Sequence, residues 1–247
     1  MQCSLPTFDL KETLRCGREI RKVVRGAPTL EEGAQRMCEL LYRGLLDADG
    51  RRPGTVLVRC YATLPFGNLS GELRGFVSSR STGAVSETTK CLVLLGTAGE
   101  EPAWNDRLRS RGHLVIPLPS PDVVEQAPMI AALFKDFGVE VQSFIAPQGS
   151  LKRDLRARTY GVFHVENAVG SSAIPAQEDF VVRYEVKSVV GCGGELPRGE
   201  LFATILFCRV PVSSQVAERF QALALDMKAA FFPFASAPPF AAVGKRS

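Results

Sequence analysis

The sequence predicts an α+β fold, in which a central, mostly antiparallel sheet has helices packed on its faces. The last quarter of the chain carries this prediction, because VKSVVGCGGEL and LFATILFCRVPV are typical of strands and SSQVAERFQALALDMKAAFF is typical of an amphipathic helix. The short turn Leu196-Pro197-Arg198-Gly199-Glu200 between the two strands favours an antiparallel hairpin. Upstream, strand and helix patterns are interspersed, and this order fits a doubly wound parallel sheet less well.

The composition is that of an ordinary globular protein. Of the 247 residues, 45% are hydrophobic and 23% are charged, values that argue against wholesale disorder. We expect three regions: a loose arm or peripheral helix over residues 1–27, a folded domain over residues 28–235, and a proline-rich, disordered tail over residues 236–247.

The folded domain is predicted to begin with a helix after Thr29. The hydroxyl of Thr29 precedes Glu32 by three residues, the spacing of a capping box in which each side chain satisfies a backbone donor. Apolar residues follow at helical spacing, namely Leu30, Ala34, Cys38, Leu41 and Leu45.

Four further segments are predicted to be strands. Residues 55–61 (TVLVRCY) are rich in β-branched side chains, and residues 91–95 form a continuous apolar run that is typical of a strand buried on both faces. Residues 113–118 predict a further strand, in which Pro117 must lie at a sheet edge or at a strand end because it has no backbone N–H to donate. Residues 160–165 (YGVFHV) predict the fourth.

Helices are predicted between these strands. A short helix is expected over residues 69–77, and a polar helix over residues 102–111 that carries the only tryptophan, Trp104. A third helix is expected to start at Pro128, because proline fits the first turn of a helix. Residues 139–145 (VEVQSFI) fit either a strand or an extension of that helix.

Charge and cysteine content narrow the class of protein. The formal net charge of +4 comes from Lys and Arg residues scattered among acids, which does not predict nucleic-acid binding. Seven cysteines without a CxxC pair or metal-ligand spacing are typical of a reducing cytoplasm. The sequence has no signal-peptide pattern and no apolar run near the roughly 18 residues that span a bilayer. We therefore expect a cytoplasmic protein that binds neither nucleic acid nor membrane.

The common enzyme signatures do not occur. The sequence has no GxxxxGK[ST] loop, no GxSxG elbow and no HExxH helix, and its two histidines are too few for a multi-histidine metal site. The glycines of Gly191-Cys192-Gly193-Gly194 precede a strand turn and not a helix N-terminus. We interpret them as permitting a bulge or a close approach of a ligand.

Two residues, His164 and Cys192, have side chains that could bind a ligand or react. His164 lies where an aromatic strand meets a loop, so its imidazole is expected either to bond nearby backbone or to meet a ligand, including a haem iron. Cys192 is flanked by glycines that would leave a thiol accessible, although no basic residue adjoins it to lower its pKa.

The closing helix carries one apolar stripe at spacings of four and three. Its members are Val216, Phe220, Leu223, Met227 and Ala230. The stripe fits a core helix lying on the sheet, or the seam of a dimer, and two heptads are too few to establish a coiled coil.

With these segments placed, the chain resembles the GAF-like input regions that precede the kinase core of some bacterial sensor histidine kinases. The similar features are the aromatic strand YGVFHV, a loop with Pro and Gln, the strand VKSVVGCGG and its hairpin partner GELFA. The resemblance covers residues 159–234 and, more weakly, TVLVRCYATLPFG and the helix after Thr29. After Phe234 the sequence has no helix with a phospho-accepting histidine and no ATP-binding glycine boxes, so we expect no kinase activity from these residues.

The resemblance implies a non-catalytic signal-sensing module of a bacterial two-component or related signalling system. It implies a small ligand between the sheet and its covering loops, a shift of the terminal helices on binding, and a histidine kinase, another signalling protein or a second copy of the chain as partner. It does not identify the ligand or any cofactor. The candidate ligand-binding residues are Tyr160, Phe163, His164, Gln177 and Cys192, with Arg183 and Tyr184 as weaker candidates.

Two alternatives stay open. Some GAF-type domains are similar to methionine sulfoxide reductases, which would make the chain a cysteine-dependent oxidoreductase. The other alternative is a protein-interaction module without a small ligand, which a closed apolar core would favour.

Overall fold

A six-stranded antiparallel sheet forms the centre of the computed structural model, which describes residues 1–79, 85–110, 113–145, 160–196, 199–235 and 238–240. The strands are β1 (Cys3–Ser4), β2 (Leu45–Leu46), β3 (Thr55–Pro65), β4 (Lys90–Gly99), β5 (Val115–Leu118), β6 (Tyr160–Val165), β7 (Ser188–Glu195) and β8 (Leu201–Cys208). The main sheet has the order β5-β4-β3-β8-β7-β6, while β1 and β2 form a separate parallel pair. This arrangement confirms the predicted α+β class with a central antiparallel sheet.

The helices flank the sheet. They are α1 (Leu10–Arg25), α2 (Leu30–Gly44), α3 (Gly71–Ser78), α4 (Pro121–Glu125), α5 (Pro128–Asp136), α6 (Val141–Ile145) and α7 (Ser214–Phe231). Short 3₁₀ turns occupy Phe66–Asn68, Pro102–Asn105, Arg107–Arg109 and Phe232–Phe234, and Gln177–Val182 forms a π-helical turn.

Local sequence signals explain several of these boundaries. The Thr29 hydroxyl accepts a hydrogen bond from the backbone N–H of Glu32 at 3.2 Å, which is one half of the capping box predicted for the start of α2. The Glu32 carboxylate pairs with Arg36 at 3.0 Å in place of the other half. The start of α1 has a full capping box, in which the side chains of Asp9 and Glu12 each accept from the backbone N–H of the other residue. Residues 139–145, which fitted either a strand or a helix, contain the short helix α6.

The predicted hairpin is present. Strands β7 and β8 pair without interruption from Ser188 opposite Cys208 to Glu195 opposite Leu201. The N–H of Leu196 donates to the carbonyl of Glu200 at 2.7 Å and closes the turn, of which residues 197–198 lie outside the described part. Strand β5 lies at the edge of the sheet, one of the two placements predicted from Pro117.

One face of the sheet is covered by α1, α2, α3 and α7. The apolar stripe of α7 points into this layer, and its five members are all buried, as a core helix requires. Phe8, just before α1, packs against Phe220 of α7 with ring centroids 5.4 Å apart. This layer contains the larger of two clusters of buried apolar side chains among the described residues.

The N-terminal region differs from the prediction of a loose arm or peripheral helix. A helix does form there, but Cys16, Ile20 and Val24 of α1 are fully buried against the rest of the helical layer. The buried stripe of α1 is difficult to recognise in the sequence, because its few apolar residues lie among many polar, exposed ones. The N-terminal helix is therefore part of the core.

The segment after Trp104 also differs from prediction. In place of one helix over residues 102–111, two 3₁₀ turns form, because side chains bond the local backbone instead of allowing a helix to continue. Asn105 bonds both the N–H and the carbonyl of Gly99, each at 3.0 Å, and Asp106 accepts from the N–H of Leu108 at 2.9 Å.

Part of the predicted disordered tail contacts the folded domain. The carbonyl of Pro239 accepts a hydrogen bond from the N–H of Glu31 at 3.0 Å, and the Arg107 guanidinium lies over the Phe240 ring, 5.3 Å from its centroid. Residues 236–237 and 241–247 lie outside the described residues. Within the described chain, no helix combines the length and the apolar character that a membrane crossing requires.

The burial of α1 generates a stability prediction. We expect Ile20→Ala to lower the free energy of unfolding by about 2–5 kcal/mol, because it removes a fully buried side chain and leaves a cavity. Leu14→Ala, on the same helix at a position that is 59% exposed, serves as control and should stay within about 0.5 kcal/mol of the wild type. Urea unfolding followed by circular dichroism measures both. Equal, small effects would mean that α1 is peripheral.

Candidate functional site

The second face of the sheet borders a cavity of about 1010 Å³. Strand alternation separates the two faces, since Val58, Cys60 and Ala62 of β3 belong to the helical layer while Leu57 and Tyr61 belong to the second cluster. The side chains of the sheet that line the cavity are Leu57, Arg59, Tyr61, Leu92, Ile116, Ile205 and Phe207. The floor of the cavity is therefore largely apolar.

Short elements cover this face in place of long helices. The side chains that line the cavity from the cover come from the two 3₁₀ turns and the residues after them (Ala103, Trp104, Leu108, Arg109, Ser110 and His113), from α5 and the residue before it (Ala127, Pro128, Met129, Ile130 and Leu133), and from residues 174–180 (Ile174, Pro175, Ala176 and Phe180). None of these elements is long enough to lie across the whole sheet, so a space remains beneath them.

An aromatic cluster holds one wall of the cavity together. The Trp104 ring lies 4.7 Å from the ring of Tyr184 and 5.8 Å from that of Phe180, centroid to centroid. Phe180 in turn meets Phe207 of β8 edge to face at 4.9 Å. These contacts link the covering segments to the floor of the cavity.

Glycines in β7 let α5 approach the sheet at the other end of the cavity. A Cβ atom at Gly191 would lie 3.0 Å from a methyl carbon of Leu133. One at Gly193 would collide with the carbonyl oxygen of Phe202 on the neighbouring strand β8 and would lie 2.8 Å from the Phe137 ring. The pairing of β7 with both neighbours continues through these residues, so the glycines serve a close approach of a helix and not a bulge.

Arg59 is the main polar group on the floor. Its guanidinium donates to the Ser110 hydroxyl at 3.2 Å and makes a long contact of 3.5 Å to the Tyr61 hydroxyl. Its Nε atom is buried and has no hydrogen-bond partner, and no carboxylate among the described residues lies within ion-pair distance of it. A positive charge thus lies in a largely apolar cavity, and no carboxylate of the described chain pairs with it.

The Tyr61 hydroxyl beside it keeps its proton at neutral pH. Burial raises the pKa of Tyr61 above its ordinary value, and the positive charge of Arg59 opposes this shift only in part. The hydroxyl can therefore donate a hydrogen bond into the cavity.

Of the five candidates from the sequence, the four whose side chains the structure describes (Phe163, His164, Gln177 and Cys192) do not line this cavity. His164 lies at the helical layer, where its Nε2–H donates to the carbonyl of Val212 at 2.8 Å; this is the backbone bond expected of it, and it leaves that nitrogen committed to the backbone. The thiol of Cys192 is buried on the same face, 3.9 Å from the sulfur of Met227. Strand alternation in β6 and β7 directs both side chains away from the cavity.

Of the remaining candidates, Phe163 and Gln177 lie on the cavity side of the sheet. Phe163 is buried in the second apolar cluster, and the side chain of Tyr160 lies outside the described part of the chain. Gln177 acts one step from the cavity: its amide accepts from the N–H of Gly170 at 2.8 Å and donates to the carbonyl of the lining residue Ile174 at 2.7 Å. It fixes the loop that forms one wall.

The weaker candidates lie at the outer edge of the same wall. Tyr184 belongs to the aromatic cluster and donates to the Glu101 carboxylate at 3.1 Å, and the Arg183 guanidinium lies over the Tyr184 ring, 5.2 Å from its centroid. Both support the wall from outside.

The cysteines are placed for packing. All seven are buried, and burial raises the pKa of Cys16, Cys60 and Cys208 to about 12 and that of Cys91 to about 11. Burial also raises the pKa of Cys38 and Cys192 well above the ordinary value. Among the residues that the structure describes, no group of three His, Cys, Asp or Glu side chains is arranged to hold a metal ion.

Sequence reasoning missed Arg59, although a signal was present. In TVLVRCYATL a single arginine is the only charged residue of a predicted strand rich in apolar side chains. A charge in such a position is costly unless it is paired, so it marks a functional candidate. The remaining lining residues come from segments far apart in sequence, which only the fold brings together.

No family model and no curated protein matches the chain. Solved structures that it resembles include the GAF domain from Acinetobacter phosphoenolpyruvate-protein phosphotransferase, with 12% identity and a TM-score of 0.42 over 95% of this chain and 97% of that one. Another is the phycocyanobilin-bound GAF domain from a cyanobacterial phytochrome, with 15% identity and a TM-score of 0.46 over 90% of this chain and 94% of that one.

A third is the GAF domain of a Coxiella burnetii phosphoenolpyruvate-protein phosphotransferase, with 12% identity and a TM-score of 0.45 over 89% of this chain and 92% of that one. These are GAF domains, the family that the sequence resembles. Likeness at this level carries no argument about function. The α+β class itself is established by the strand order of the main sheet.

The environment of Tyr61 generates a prediction about pH. Because its folded-state pKa exceeds the unfolded-state value, its contribution to stability is fully present below the unfolded-state pKa and is lost as the pH rises through the folded-state pKa. The difference in tyrosinate absorbance between wild type and Tyr61→Phe should show a transition above the ordinary value of about 10. A transition at or below that value would contradict the burial of this hydroxyl.

Proposed function

We propose that the chain is a non-catalytic sensory module that binds a small, largely apolar molecule between the sheet and its short covering elements. The observation that carries this proposal is the cavity of about 1010 Å³ on the second face of the sheet. Ligand sites usually measure about 300–1,000 Å³ and combine apolar walls with a few polar groups, a description that this cavity fits.

An apolar cavity of this size favours an occupant on energetic grounds. Side chains around an empty space lack dispersion partners, and water gains few hydrogen bonds there. A ligand that binds the folded state alone would supply the missing contacts and stabilise the protein by mass action.

The route from the cavity to the terminal helices runs through the sheet. Strands β7 and β8 contact the cavity side with one set of side chains and α7 with the other. Phe202 of β8, for example, meets Phe231 near the end of α7, with ring centroids 5.6 Å apart. A ligand would move the terminal helices to the extent that it binds one arrangement of these layers better than another.

The downstream partner follows from the same proposal. A histidine kinase, another bacterial signalling protein or a second copy of this chain would read the position of α1 and α7. Exposed apolar residues on these helices, among them Leu10 and Leu225, offer contacts for such a partner.

The two alternatives receive less support. A cysteine-dependent oxidoreductase needs an accessible thiolate, and all seven cysteines are buried. A ligand-free interaction module would be favoured by a closed core, whereas this cavity is large and open to filling.

Binding of a neutral apolar dye tests the proposal. We expect N-phenyl-1-naphthylamine to bind saturably with increased fluorescence. Ile205→Trp should weaken the affinity for the dye at least about tenfold, which corresponds to a loss of about 1.4 kcal/mol of binding free energy. Ile205 lines the cavity floor, so a larger side chain occupies the space. Leu225→Trp, at an exposed position on α7, is the matched control and should bind like wild type.

Two results would contradict the proposal. One is a wild-type protein that does not bind the dye; the other is an Ile205→Trp protein that keeps its circular dichroism spectrum and binds with unchanged affinity. Native mass spectrometry of protein purified from its own host gives an independent measurement, because a retained small molecule would be seen directly.

A further inference from the structure

We infer that the ligand is a small organic acid, an apolar body whose single carboxylate pairs with Arg59 on the floor of the cavity. This inference rests on the proposed function and names the chemistry of its ligand. It is carried by the Arg59 guanidinium, which lines the cavity and has no carboxylate partner among the described residues, and by the charge of the described cavity lining.

The guanidinium of Arg59 has more N–H donors than the described hydrogen bonds use. It carries five N–H groups, remains charged at every accessible pH and cannot accept a hydrogen bond. One donor meets the Ser110 hydroxyl at 3.2 Å, another makes the long contact to Tyr61, and the buried Nε has no partner. A carboxylate accepts two parallel N–H bonds from such a group.

Two other partly buried arginines of the protein are paired with a carboxylate. Arg107 and Arg209 also have a buried nitrogen without a partner, but each is paired with a carboxylate: Glu31 lies 2.6 Å from Arg107, and Glu100 lies 2.5 Å from Arg209. Among the described residues, Arg59 has no such carboxylate. A ligand carboxylate would complete the same arrangement inside the cavity.

The described lining contains basic side chains and no acidic ones. Besides Arg59, Arg109 and His113 line the cavity, and no Asp or Glu among the described residues does. Arg109 is exposed and pairs with Asp106 at 3.5 Å, which leaves Arg59 as the charge set into the apolar floor. This field favours an anion over a cation or a neutral molecule of the same shape.

The polar neighbours fit a monoanion. Tyr61 keeps its proton at neutral pH, so its hydroxyl and that of Ser110 are both able to donate to a carboxylate held by Arg59. A doubly charged phosphate would bring more charge than one guanidinium and two hydroxyls compensate in an apolar site. We therefore assign a carboxylate.

Competition between a matched acid and alcohol tests this assignment. Decanoate and decanol, which differ only in the head group, displace N-phenyl-1-naphthylamine from the wild type, and decanoate should do so at about tenfold to hundredfold lower concentration, the range of a charged hydrogen bond. In Arg59→Met this preference should disappear, so that decanoate and decanol displace the dye at similar concentrations. Arg18→Met, at an exposed position on α1, should retain the preference.

Each outcome separates the two proposals. Dye binding with equal displacement by decanoate and decanol in the wild type overturns the carboxylate while leaving the cavity site standing, as does a preference that survives Arg59→Met. A wild type that does not bind the dye overturns both. If Arg59→Met does not fold, the wild type alone tests the assignment. Its preference for decanoate over decanol should vanish at a pH low enough to protonate decanoate. A preference that persists there would overturn the assignment.

Discussion

The central sheet is apolar on both faces, and each face needs its own cover to keep that surface from water. On one side the long helices α1, α2 and α7, together with the short α3, bury a continuous cluster. On the other side the described elements are short helices and turns, so the sheet is shielded but the space is not filled. The cavity is thus a consequence of covering one sheet with two unequal layers.

Polar bonds add to the apolar contacts that hold the thinner layer in place. Gln177 fixes the loop before the π-helical turn, Asn105 fixes the first 3₁₀ turn to the end of β4, and Arg107 ties the second turn to Glu31 of α2. Such side-chain bonds hold segments that are too short to be stable as helices. They also allow the cover to differ in stability from the helical layer.

Much of the fold follows from local sequence, and the site does not. The capping hydroxyl of Thr29 and the hairpin of β7 and β8 depend on residues close together in sequence, and both predictions are confirmed. The turns at residues 102–109 were missed because Asn105 bonds Gly99, which a helical pattern does not reveal. The candidate site required knowing which face each strand residue occupies, so His164 and Cys192 were selected although their side chains lie on the far face, and Arg59 was overlooked.

The buried cysteines give the protein an internal reporter. Each of the seven thiols is enclosed in the folded protein, and burial holds most of them in the unreactive protonated form. An alkylating reagent can therefore modify them only when the surrounding layer opens. The order in which individual thiols become labelled would report which parts of the helical layer separate from the sheet first, without any added probe.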